Sequence, residues 1–68
     1  MTRKQSELLK YIKTYIQENE FSPSYDEMRN AVNLKSKSGI HRLVHGLVKH
    51  NKLKIVRYSA RSVELVDG

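Results

Sequence analysis

The 68-residue chain has no cysteine and no tryptophan, one proline and three glycines. Without cysteine it can build neither a disulfide framework nor a thiolate metal site, so its core is held by packing alone, as suits a reducing compartment. The longest uninterrupted apolar runs are pairs such as Leu8-Leu9 and Leu43-Val44, far short of the about 20 residues that a membrane-spanning helix needs. The polar amino terminus lacks the apolar stretch that marks a secretory signal. A chain of this length buries only about 60% of its unfolded surface, which leaves little room for an enclosed catalytic pocket. These shortages predict one small, soluble, intracellular domain, and they argue against multi-domain and large-pocket enzymes.

Acid is scarce in the second half. Residues 1–34 hold 5 Lys or Arg and 5 Asp or Glu, net 0, whereas residues 35–68 hold 8 and 2, which accounts for the whole net charge of +6. Between residues 35 and 63 there are 8 basic side chains and no acidic one.

Periodicity places this charge on structure. Thr2-Arg3-Lys4-Gln5 has the form of a capping box, with Thr2 accepting from a backbone N–H and Gln5 reaching back. Leu8, Leu9, Ile12 and Ile16 then recur at helical spacing, with Tyr11 and Tyr15 at the stripe's edge, so a first helix is expected at about 3–19. Phe21-Ser22-Pro23 breaks the pattern, and Ser24-Tyr25-Asp26-Glu27 opens a second, short helix at about 25–32, with Met28, Ala31 and Val32 expected to face the core. Asn33 suits a left-handed helix end. Ser36 starts a third helix at about 37–50, in which Ile40, Leu43, Val44 and Leu47 follow the i, i+3, i+4, i+7 rule, and Asn51 repeats the Asn stop.

After residue 51 the period becomes two: Leu53 and Ile55 alternate with Lys52 and Lys54, and Val63 and Leu65 alternate with Ser62 and Glu64. Two strands at about 53–58 and 62–66 with a tip at 58–61 are expected. The link between the second and third helices is only about four residues, 33–36, which forces a helix-turn-helix. The predicted fold is α+β: a winged helix-turn-helix of three helices followed by a two-stranded β-hairpin wing.

If the apolar stripe of the third helix faces inward, a turn of about 100° per residue puts Ser38, Arg42, His45 and Lys49 outward, with Gly39 and His41 on the flanks. These side chains are hydrogen-bonding groups or cations. A helix of that kind suits the major groove of DNA, read mainly by its N-terminal residues. Arg42 can bind guanine O6 and N7 bidentately, Ser36, Ser38 and His41 are short enough to reach base edges, and Lys35, Lys37, His45 and Lys49 would sit over phosphates. Gly39 loses up to about 1 kcal/mol of helix propensity, a loss that makes sense where a side chain would collide with DNA. At the hairpin, Lys54, Arg57 and Arg61 serve either as edge protection or, with Ser59, as contacts to phosphates and the adjoining minor groove.

A basic helix face can also be merely solvated, but a surface that is only soluble intersperses both signs. His41 and His45 are spaced to chelate zinc, yet no cysteine or nearby carboxylate completes a ligand set. Neither a metal nor a cofactor is expected, and no nucleophile signature suggests catalysis. Other winged-helix regulators, an architectural DNA binder, and a winged helix that docks a protein partner remain open; the last usually needs an apolar anchor, absent from the outward stripe.

Thr2-Arg3-Lys4-Gln5, the run Ser22-Pro23-Ser24-Tyr25-Asp26-Glu27-Met28 and the run Lys35-Ser36-Lys37-Ser38-Gly39-Ile40-His41-Arg42-Leu43 resemble the N-terminal DNA-binding domain of the LexA repressors, most closely the alphaproteobacterial type, over residues 2–66. The resemblance implies base reading by Ser36, Ser38, Gly39, His41 and Arg42, and backbone contacts by Lys4, Lys49, His50, Ser59 and Arg61. It implies double-stranded operator DNA as the partner, repression of DNA-damage (SOS) genes by dimers bound to paired half-sites, and a cytoplasmic, nucleoid location. It places dimerisation and serine–lysine self-cleavage in a C-terminal domain, so these 68 residues are expected to be an isolated, non-enzymatic domain. Glu20, Asn33 and Asn51 stand where many members have Gly, and Gly46 is a second glycine expected to weaken the third helix.

Overall fold

The computed structural model describes residues 2–56 and 63–66. Helix α1 spans Arg3–Asn19, α2 Tyr25–Ala31 and α3 Lys37–Lys49, and strands β1 Leu53–Ile55 and β2 Val63–Leu65 follow. The strands pair antiparallel, with Leu53 opposite Leu65, Lys54 opposite Glu64 and Ile55 opposite Val63. The order and pairing are those of a winged helix-turn-helix. The expected hairpin tip, with Arg57, Ser59 and Arg61, lies outside the described residues.

Local chemistry sets the helix ends. Thr2 Oγ1 accepts from Gln5 N while Gln5 Oε1 accepts from Thr2 N, and Ser24 and Glu27 form the same reciprocal pair at α2. At the far end of α2, Asn33 adopts φ 55°, which lets Leu34 N donate to Arg29 O at 3.0 Å and Asn33 N to Asn30 O at 3.3 Å. Asn51 at φ 59° repeats this arrangement at α3, with Lys52 N on Leu47 O and Asn51 N on Val48 O. These are the paired bonds of a left-handed helix stop. They end α2 at Ala31 and α3 at Lys49, one residue short of the expected ends, with Val32 and His50 as caps. Glu20 takes the left-handed conformation at the end of α1, φ 65°, despite a side chain that does not favour it.

The core is formed by Leu8, Leu9 and Ile12 of α1, Met28 and Val32, Ile40, Val44 and Leu47 of α3, and Leu53 and Val63 of the hairpin. Two expected core positions are on the surface. Ala31 is exposed: Tyr25, Met28 and Val32 define the inward line of α2, and about 100° per residue leaves Ala31 roughly a quarter-turn away. Ile55 is 39% exposed, although Val63, its partner across the strand pair, is fully buried.

Interhelical polar ties fix the layers. Tyr15 donates to Glu27 Oε2 at 2.7 Å, while Glu27 Oε1 accepts from Ser24 N, so one carboxylate both caps α2 and holds it to α1. Lys4 Nζ donates to Val32 O at 2.7 Å, and Arg29 Nη1 to Leu34 O at 3.2 Å. Two cations thus satisfy two carbonyls of the turn between α2 and α3, those of Val32 and Leu34.

Candidate nucleic-acid interface

The start of α3 is shaped by two serines and a glycine. Ser36 Oγ accepts from Gly39 N at 3.4 Å and shares a hydrogen bond with Ser38 Oγ at 3.1 Å. Gly39 occupies the third helical position, which Gln5 and Glu27 use in the other helices to complete a capping box, so α3 forgoes the reciprocal bond. Its φ is not positive. A Cβ there would meet Leu34 Cδ1 at 3.5 Å and Ser36 Oγ at 3.7 Å, which is ordinary contact. The fold therefore does not require a glycine at 39.

Gly46 differs. A Cβ at 46 would collide with Gln5 Nε2 and come within 3.3 Å of Gln5 Cδ, and that amide is the one closing the cap of α1. The expected weak point of α3 is the place where α1 lies against it.

Ser36, Lys37, Ser38, His41, Arg42, His45, Lys49 and His50 are all exposed, and Gly39 is half-exposed. Ile40, Val44 and Leu47 are buried on the opposite side. Among the described residues, Arg3, Lys4, Arg29, Lys37 and Lys54 have a carboxylate within 4 Å, whereas Lys10 and Lys13 of α1 and Lys35, Arg42, Lys49 and Lys52 have none. The cations of the α3 surface are thus largely uncompensated. Exposed ion pairs contribute little stability, so the unpaired ones raise the local positive potential at little structural cost.

The first turn of α2 reaches this surface. The Tyr25 ring packs on the His41 imidazole, centroids 4.4 Å apart and planes at 32°, and Asp26 Oδ1 lies 3.7 Å from Lys37 Nζ. Neither contact is visible in local spacing, because 16 and 11 residues separate the partners; only the bend between α2 and α3 brings them together. Tyr25 stands apart from Tyr11, Tyr15 and Phe21, which pack in series at 5.9 and 5.8 Å.

Of the expected backbone-contacting residues, Lys35, Lys37, His45, Lys49 and His50 lie on or beside α3. Lys4 lies instead at the junction of α1 and α2, with its ammonium on Val32 O. Among the described residues no group of three or more His, Cys, Asp or Glu side chains is placed to hold a metal ion, and no helix is long and apolar enough to cross a membrane.

A family model described as "LexA DNA binding domain" matches residues 1–62. Proteins named LexA repressor from Gluconacetobacter diazotrophicus, Cereibacter sphaeroides and Paramagnetospirillum magneticum are each 47% identical to this chain over 66 residues, 97% of its length. The chain spans only 26%, 29% and 28% of those relatives.

Proposed function

The chain belongs to the LexA DNA-binding domain family, and on that footing we propose that it reads operator DNA through α3 for a bacterial transcriptional repressor of the DNA-damage (SOS) response. The observation that carries this reading is the exposed face of α3, where Arg42 and Lys49 have no acidic partner among the described residues and a glycine stands at 39 that the packing of the fold does not demand. A helix entering the major groove needs those properties: short side chains at its start, an arginine fork for guanine, and cations toward its end for phosphate.

In this reading Ser38, His41 and Arg42 meet base edges, Gly39 gives the backbone close approach, and Ser36 holds the helix start while presenting its hydroxyl to the groove. Lys35, Lys37, His45, Lys49 and His50 meet phosphates. Lys4 acts beside the junction it braces, and Arg57, Ser59 and Arg61 extend the contact from the wing. The domain works at the nucleoid, as one of two copies bound to paired half-sites. A single copy binds weakly, because joining two modules raises their effective concentration.

The test is selection of bound sequences from a random duplex pool with two copies artificially linked. Arg42→Ala is expected to lose about 1–3 kcal/mol on the selected duplex and to relax preference at one base pair. Equal losses on selected and scrambled duplexes would show that Arg42 does not read bases.

A further inference from the structure

We infer that Tyr25 is a specificity-determining positioning residue: its ring is a shelf that holds the His41 imidazole in the orientation from which it meets DNA. This rests on the assignment of His41 to the base-reading face. His41 is exposed on α3, and an exposed side chain on a helix ordinarily samples several rotamers. Here one face of the imidazole is covered by Tyr25 at 4.4 Å and 32°, close to the separation at which aromatic rings attract.

The shelf is itself fixed. Tyr25 is half-buried against the core and is the first residue of α2, directly after the cap at Ser24. That cap is closed by Glu27, which Tyr15 holds from α1. The orientation of His41 is thereby set by a chain of contacts reaching back to the scaffold. With one ring face stacked, the imidazole offers its edge, where its nitrogens lie, and a planar edge held in one direction distinguishes base pairs better than one that must be ordered on binding. Immobilising a free side chain at an interface weakens binding by about two- to tenfold, and a ring already held avoids most of that loss.

The experiment compares Tyr25→Leu, Tyr25→Phe, His41→Ala and the Tyr25→Leu/His41→Ala double variant, using the 68-residue chain with a selected and a scrambled duplex. Thermal melting accompanies each variant, and the imidazole C–H proton shifts of His41 report the stack through the ring current of residue 25. Tyr25→Leu keeps apolar bulk but removes the flat ring. It is expected to move the His41 shifts toward free-histidine values and to weaken binding to the selected duplex about two- to tenfold, with the scrambled duplex unaffected.

Tyr25→Phe restores both, and in the His41→Ala background Tyr25→Leu has no further effect on discrimination. Equal weakening on both duplexes, or an unchanged affinity ratio, overturns the positioning role. If His41→Ala itself leaves the ratio unchanged, it is the base-reading assignment of His41 that fails. A loss in His41→Ala without one in Tyr25→Leu overturns the shelf alone.

Discussion

At the scale of single residues, backbone conformation decides more than side-chain chemistry at three positions, and the three are not equivalent. Glu20, Asn33 and Asn51 all have positive φ, 65°, 55° and 59°. Asn can adopt this region through local hydrogen bonding, whereas for other L-residues it costs about 1–2 kcal/mol. Glycine at 20 would remove that strain but lose about 0.5–1 kcal/mol more conformational entropy on folding. Glu20→Gly is therefore expected to stabilise the protein by about 0.5–1 kcal/mol, which a thermal melt reads as a rise of a few degrees. Asn33→Gly and Asn51→Gly should gain less. A lower melting temperature in Glu20→Gly would mean that the Glu20 side chain contributes more than its backbone loses. The two stops at Asn were legible because Asn after a periodic run is a local signal; the conformation at Glu20 was signalled only by the glycine that the resemblance puts there, because nothing in a glutamate announces it.

Among elements, the informative contact is that of α1 on α3. The Gln5 amide both closes the cap of α1 and covers Gly46, so the two positions are energetically coupled. Alanine at 46 gains up to about 1 kcal/mol of helix propensity but displaces a side chain whose hydrogen bond contributes about 0.5–1.5 kcal/mol. Gly46→Ala alone should thus change stability little, whereas in a Gln5→Ala background it should stabilise by close to the full propensity difference. Denaturant melts of the four proteins measure the coupling, and additive effects would show that Gln5 moves aside freely. The caps at Thr2 and Ser24 could be read from sequence because both halves of each box lie within four residues. The lid over Gly46, the Lys4 bond to Val32 and the Tyr25 stack on His41 join residues at least 16 apart and emerge only with tertiary packing. The exposure of Ala31 has a related cause: a short periodic run leaves the inward line of α2 loosely defined, and packing selects the line through Tyr25, Met28 and Val32.

For the molecule as a whole, charge divides into two populations. Arg3, Lys4, Arg29, Lys37 and Lys54 have acidic neighbours, and Lys4 and Arg29 also serve backbone carbonyls in the helix-turn-helix bend. Of the described cations without an acidic neighbour, Lys10 and Lys13 share α1 and its end with Glu18 and Glu20, whereas Lys35, Arg42, Lys49 and Lys52 lie in the stretch 35–63 that holds no acid. Phosphate contacts make the logarithm of affinity fall linearly with the logarithm of salt, by about 0.9 per phosphate neutralised. Lys49→Ala should accordingly weaken selected and scrambled duplexes alike and make the salt slope shallower by about one; an unchanged slope in a salt titration would remove Lys49 from the phosphate set. The carboxylate of Glu27 has a further consequence for how this surface comes into being. At seven residues, α2 is well below the about 12–15 that an isolated helix needs in water, and its cap is held by a tyrosine twelve positions upstream. The helix carrying Tyr25 and Asp26 thus has no standing apart from α1, and a peptide covering only the helix-turn-helix would inherit the letters of the reading head without its geometry.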